Sequence, residues 1–139
     1  DADNNSATKN TIVALVQNTK GEYEDKTREI FGSDLLNIGG VGFGYVTIDL
    51  NNDGWADIYV ANDFMLSDFM YINQKNGTFK NEVKQRTGHV PMFSMGVDIS
   101  DINNDLLPDV YVADMASVQH LGLVTQAALF HCILSVKER

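Results

Sequence analysis

Along the chain, short runs rich in Val, Ile, Tyr and Phe alternate with stretches of Gly, Asn and Asp. Apolar runs of this length bounded by turn residues predict strands, not helices. They fall at residues 12–17, 22–26, 43–49, 57–62, 69–73, 78–82, 95–100 and 109–113. Glu24 to Phe31 and Glu82 to Thr87 each have room for a helical turn, without a sustained 3.6-residue period. The chain therefore reads as all-β, with many short strands in the manner of a sandwich, barrel or propeller. Phe43, Tyr59, Phe64, Phe69, Tyr71, Phe79 and Phe93 fall on or beside these strands and read as core, whereas Trp55 sits at a loop tip. Asn76-Gly77 predicts a two-residue type I′ hairpin, because both central positions of that turn need positive φ. The stretch from Ala116 to Arg139 departs from the pattern: Leu121 to Leu134 is apolar on every side, interrupted by Gln126 and His131. Buried helix and extra strand are both open there.

The chain also repeats itself. Gly44 to Asn62 overlays Gly96 to Asp114 at an offset of 52 residues, with 9 of 19 positions identical. A weaker echo at offset 56 relates Val16 to Tyr23 with Ile72 to Phe79, each a strand, a turn ending in Gly and a strand opening on an aromatic. Repeats of such length read as stacked supersecondary units that bury one another's faces. They divide the chain into a partial first repeat (1–42), a second (43–94), the start of a third (95–115) and a tail outside the pattern (116–139).

The chemistry concentrates where the repeat is strongest. The loop 49–57 carries Asp49, Asn51, Asp53 and Asp57 at positions 1, 3, 5 and 9, with Gly54 at position 6. The loop 101–109 carries Asp101, Asn103, Asp105 and Asp109 at the same positions, with Leu106 in place of the glycine. Alternate residues of a tightly curled loop turn their oxygens inward, and a hard cation such as Ca²⁺ takes six to eight oxygen ligands. The position-7 carbonyls of Trp55 and Leu107 are further donors. An EF-hand is excluded: its position-12 Glu is replaced by Val60 and Val112, and its flanking helices by strands. A single loop of this kind also reads as a polar hairpin tip. Two copies with the same acids favour a metal, and turn chemistry alone gives no reason for the acid at position 9. If position 6 is left-handed, Leu106 costs about 1–2 kcal/mol. The second loop is then the weaker site, or it shifts its backbone, with Pro108 restraining the exit.

Composition narrows the partners. Asp and Glu outnumber Lys and Arg 19 to 10, giving a formal charge of −9, which argues against nucleic acid and suits cation binding. A single cysteine, Cys132, leaves no intrachain disulfide and no cysteine-based zinc site. His89, His120 and His131 are scattered without metal-ligand spacing. No nucleophile elbow, P-loop or HExxH motif is present, so catalytic residues are expected to be absent. Asn4-Asn5-Ser6 and Asn76-Gly77-Thr78 match the N-glycosylation pattern. The first residues have neither the basic start nor the apolar stretch of a signal peptide, and no membrane span is expected.

Gly42-Phe43-Gly44 followed by Asp49-x-Asn51-x-Asp53-Gly54-x-x-Asp57-Ile58-Tyr59-Val60-Ala61 resembles the FG-GAP/VCBS-type repeat of integrin α subunits and of many large bacterial secreted or surface proteins. Phe93 to Ile99 with Asp101 to Ala113, and Tyr71-Ile72-Asn73 with Gly77-Thr78-Phe79, are similar to other parts of the same repeat. The resemblance spans about residues 12 to 115. It implies four-stranded propeller blades with calcium in the hairpin loops. Asp49, Asn51, Asp53, Asp57 and the Trp55 carbonyl would be ligands in one loop, and Asp101, Asn103, Asp105, Asp109 and the Leu107 carbonyl in the other. At about 52 residues per repeat the chain holds about 2.7 blades, an incomplete propeller whose open strand edges invite self-association. The expectation is a non-enzymatic, calcium-stabilised module of the cell surface or extracellular space that recognises a protein or glycan. Two alternatives stand beside it: a carbohydrate-binding segment using Trp55, and an accessory part of a secreted enzyme.

Overall fold

The computed structural model describes residues 13–32, 41–63, 66–88, 90–91, 93–116 and 128–135. They form three antiparallel sheets. The first is a hairpin of β1 (Leu15–Gln17) and β2 (Tyr23–Asp25), followed by a short helix α1 (Thr27–Phe31). The second has four strands in sequential order, β3 (Val41–Ile48), β4 (Asp57–Asp63), β5 (Phe69–Asn73) and β6 (Phe79–Asn81), followed by α2 (Val83–Arg86). The third contains β7 (Ser94–Ser100), β8 (Asp109–Ala116) and β9 (Ala128–Ser135). The chain is all-β, and the strands fall where the apolar runs place them.

The four-stranded sheet is the middle layer, and period-2 alternation shows it. On β4 and β5, Tyr59, Met70 and Ile72 join Leu50, Val83, Val110 and Val112 in one buried cluster, against which Val46, Val97 and Ile99 pack. The intervening Val60, Phe69 and Tyr71 join Phe31 in a second cluster, with Ala14, Ile30 and Phe79 against it. Successive side chains of a strand point to opposite faces, so both faces of this sheet are covered, one by the third sheet and one by the α1 segment. Phe31, Phe79, Phe69 and Tyr71 meet as tilted rings, with Phe31 and Tyr71 ring centroids 4.8 Å apart.

The repeat seen in the sequence is carried into fine structure. In β3 the register slips between Gly42 and Gly44, and in β7 between Ser94 and Gly96, so each first strand has a bulge at the same repeat position. Gly44 and Gly96 mark the kink, as glycines within strands often do. Within the apolar tail, Ala128–Ser135 forms an extra strand, β9, paired with β8 from Asp109↔Ser135 to Ala116↔Ala128, while residues 117–127 lie outside the described residues. β9 lies on β8 where β5 lies on β4, since Ile58 pairs Tyr71 and the equivalent Val110 pairs Leu134.

One local prediction is corrected. Residues 76–77 do not form a two-residue type I′ turn. Asn73 pairs Phe79 across a longer loop, and positive φ falls on Lys75 (62°) and Gly77 (85°). Asn side chains decide this: Asn73 Oδ1 accepts the Lys75 N–H at 2.9 Å and Asn76 Oδ1 accepts the Thr78 N–H at 3.0 Å, two Asx turns in sequence. His89, His120 and the Asn4 glycosylation pattern lie outside the described residues, as do Phe64 and the side chains of Phe43, His131 and Cys132.

Candidate metal centre

The β3–β4 loop folds around its own side chains. Asp49 accepts two backbone N–H groups, from Asp53 at 3.0 Å and Gly54 at 2.7 Å, one on each carboxylate oxygen. Asn51 Oδ1 accepts the Asp53 N–H at 3.1 Å, and Asp53 Oδ1 accepts the Trp55 N–H at 3.0 Å. Asn51 Nδ2 donates to Asp53 Oδ2 at 3.0 Å. The carboxylates and amide are thereby drawn onto the inside of one turn. Two left-handed residues close it, Asn52 (φ 54°) and Gly54 (φ 86°). Asn is among the few side chains that tolerate this region, which accounts for an asparagine at position 4 of both loops.

The β7–β8 loop reproduces this scaffold bond for bond. Asp101 accepts from Asp105 N–H at 3.0 Å and Leu106 N–H at 2.9 Å, Asn103 Oδ1 from Asp105 N–H at 2.9 Å, and Asp105 Oδ1 from Leu107 N–H at 2.9 Å. Leu106 is left-handed (φ 69°), as Gly54 is. The backbone is therefore not shifted to spare the leucine, and the strain of about 1–2 kcal/mol is accepted. The side chain stands 89% exposed, so no burial offsets that strain within the chain.

Asp57 behaves differently from the other acids, and the structure supplies the reason for it that turn chemistry does not. It is fully buried at the start of β4. One oxygen accepts the Leu50 N–H at 2.9 Å and the other the Asn73 N–H at 2.8 Å, tying the loop to the end of β5. Asp109 accepts the Ile102 N–H at 3.0 Å, as Asp57 accepts the Leu50 N–H. Burial pushes the Asp57 carboxyl above its ordinary value despite the two N–H groups, and the negative charges of Asp53 and Asp49 add to the rise. Asp53 goes the other way. Its burial is outweighed by hydrogen bonds from Asn51 and Trp55 and by the Lys75 ammonium 3.3 Å away, which hold it below the usual carboxylate range.

The donor chemistry fits a hard dication: three carboxylates and one amide oxygen per loop, with like charges that act on one another. The carboxylates are not drawn into a common cage, and among the described residues no group of three or more His, Cys, Asp or Glu is gathered closely enough to hold an ion. The oxygens instead cap the loop's own N–H groups. Trp55, at the tip, is 48% exposed.

A second polar centre, invisible to motif reading, lies beyond the other end of β4. Asp68 is fully buried, and three donors converge on it: the Asn62 N–H at 2.8 Å, Tyr59 Oη at 2.7 Å and Ser94 Oγ at 2.8 Å. Ser94 opens β7, so this carboxylate joins the middle sheet to the third. Burial pushes its pKa up to about 6 against those donors, and the charge of Asp114 adds to the rise. Nearby, Asn62 Oδ1 is buried without a partner, a position that an ordered water commonly serves. The sequence holds no signal for Asp68, a lone acid before an apolar strand.

The second and third sheets each open with a hairpin of equal design, with its acidic loop at the equivalent place. A family model described as an FG-GAP-like repeat matches residues 49–112, just under half of the chain. The chain carries an FG-GAP-like repeat. The match runs from the first residue of the first acidic loop into β8, and so includes both loops and the whole of β4 to β7. Repeats of this kind are of the β-propeller type, and their family is generally structural and non-catalytic. No curated protein and no solved structure matches it.

Proposed function

We propose that the chain is a non-catalytic, calcium-binding repeat module of the cell surface or extracellular space, serving adhesion or protein recognition. The observation that carries this reading is the identical scaffold of the two loops, each presenting the same hard-oxygen donors at the same place in successive sheets. Asp49, Asn51, Asp53, Asp57 and the Trp55 carbonyl would hold one ion. Asp101, Asn103, Asp105, Asp109 and the Leu107 carbonyl would hold the other. Ca²⁺ would supply charge neutralisation, removing the repulsion that Asp49 and Asp53 exert on Asp57. Extracellular modules bind Ca²⁺ at about 10⁻⁴–10⁻³ M, which matches a calcium-rich exterior and not a cytosolic sensor. Among the described residues no helix is long and apolar enough to cross a membrane.

Thermal melts in about 10 mM calcium and in chelator test this. Each site of the extracellular class then contributes about 1.4–2.7 kcal/mol, so with both filled the midpoint rises by about 10–20 °C. In the double variant Asp53→Asn, Asp105→Asn the rise shrinks to a small fraction while the chelator midpoint changes little, because asparagine keeps the shape of both turns. Superimposable melts of the wild type in calcium and chelator would reduce the loops to polar hairpin tips.

A further inference from the structure

The two loops do not stand apart. Between them lies a cleft of about 460 Å³ with apolar walls of Ile48, Ile99, Leu107 and Pro108 and with Asp49 and Asp101 contributed from either side. Leu106 also lines it, with most of its surface open to solvent. Neither repeat has this cleft alone, since Ile48, Asp49 and Asn52 come from the second repeat and the other lining residues from the third. No lysine or arginine is among its lining residues. Each adjoining loop carries three carboxylates; with a dication bound one negative charge remains on each, offset at the first loop by Lys75, 3.3 Å from Asp53, and not offset by any cation lining the cleft at the second.

We propose that this cleft is a docking site for a segment of another protein that presents one leucine- or isoleucine-sized side chain between basic residues. The apolar walls select the central side chain, and the two acidic loops select its flanks. Complementary charge of this kind favours the encounter and fixes orientation. Leu106 is the residue that separates this cleft from a mere gap between hairpins. It occupies the position held by Gly54 in the other loop, in a left-handed conformation that glycine adopts freely, and it projects into solvent. An exposed leucine gains burial only when something covers it. The inference deepens the reading of the chain as an interaction module and rests on it for the class of partner, but it does not require calcium.

The test uses the full chain with labelled Ile and Leu methyl groups, at saturating calcium, titrated with the capped pentapeptide Gly-Lys-Leu-Lys-Gly. Controls are Gly-Glu-Leu-Glu-Gly and Gly-Lys-Ser-Lys-Gly. The expected result is saturable shifts at Ile48, Ile99, Leu106 and Leu107 with the first peptide alone, weakening as salt rises. Leu106→Gly should weaken binding about tenfold, as loss of the burial of one leucine side chain does, while its melting midpoint equals or exceeds that of the wild type. Absence of saturable shifts, equal shifts with the acidic peptide, or unchanged binding by Leu106→Gly would each overturn the proposal. Melts of the same samples keep the two readings apart. A calcium-dependent melt without saturable shifts overturns the cleft and leaves the metal sites. Saturable shifts on these methyls with calcium-independent melts support the cleft and remove the metal sites.

Discussion

Asp57→Ala should lower the free energy of unfolding by about 3–5 kcal/mol even in chelator, and by more in calcium, where a ligand of the ion is lost as well. The carboxylate is the shared acceptor of two backbone N–H groups that belong to different elements, Leu50 in the β3–β4 loop and Asn73 at the end of β5. Leu50 is itself buried in the core, so its N–H has little access to water once the acceptor is gone. A buried donor left unpaired costs about 1–3 kcal/mol, and bonds to an ionised acceptor are at the strong end of the range. Against this, burial and the charges of Asp53 and Asp49 already disfavour the ionised form, so removing it returns part of the loss. Asp57→Asn should still be costly, because one amide oxygen replaces two acceptors and the new NH₂ group faces an N–H donor. Urea titrations of the three proteins, with and without calcium, measure this. A loss below about 1 kcal/mol in chelator would show that the N–H groups find other partners, and that the acid at position 9 serves a metal alone.

What the sequence made legible was what depends on neighbours in the chain. The strands follow from alternation of apolar residues, and the loop scaffold from Asp and Asn at alternating positions. Leu106 at a glycine position announces its own strain. The two roles of Asp57 were not legible together. Its spacing suggested a ligand, but its anchoring bond reaches Asn73, sixteen residues on, and exists only because β5 returns beside β4. Asn76-Gly77 is a strong local signal for a two-residue turn, and the Asn73 and Asn76 side chains override it by closing Asx turns of their own. The apolar tail could not be assigned because a fully apolar run has no period to separate helix from strand. Pairing with β8 decides the matter for Ala128–Ser135, through contacts that no local pattern encodes.

Asp68 is the case furthest from sequence reading, and it carries the second large expectation. Its folded-state pKa of about 6 lies above the ordinary carboxylate value of 3.8, so the folded chain holds the proton more tightly than the unfolded chain does. The stability that protonation confers is fully present below the unfolded value and is lost as pH rises through about 6. Near neutrality the ionised carboxylate therefore costs up to about 3 kcal/mol relative to a neutral group in the same place. Asparagine is such a group. Its oxygen can accept the Asn62 N–H, and its NH₂ can donate to Tyr59 Oη and Ser94 Oγ once those hydroxyls rotate. Asp68→Asn should accordingly be more stable than the wild type at pH 7 to 8, with the difference falling to near zero by about pH 4. Other acids, Asp57 and Glu82 among them, also shape the absolute pH profile, but they are common to both proteins and cancel in the difference. Asp68→Ala should be destabilised at every pH, since it leaves the same three donors without an acceptor between the middle and third sheets. A difference between Asp68→Asn and wild type that stays constant from pH 4 to 8 would mean that Asp68 titrates as an ordinary carboxylate, and that its three donors stabilise the charge as well as water does. The expected slope instead makes this junction one that tightens as the surroundings acidify, because the group that joins the two sheets is then neutral and still fully hydrogen-bonded.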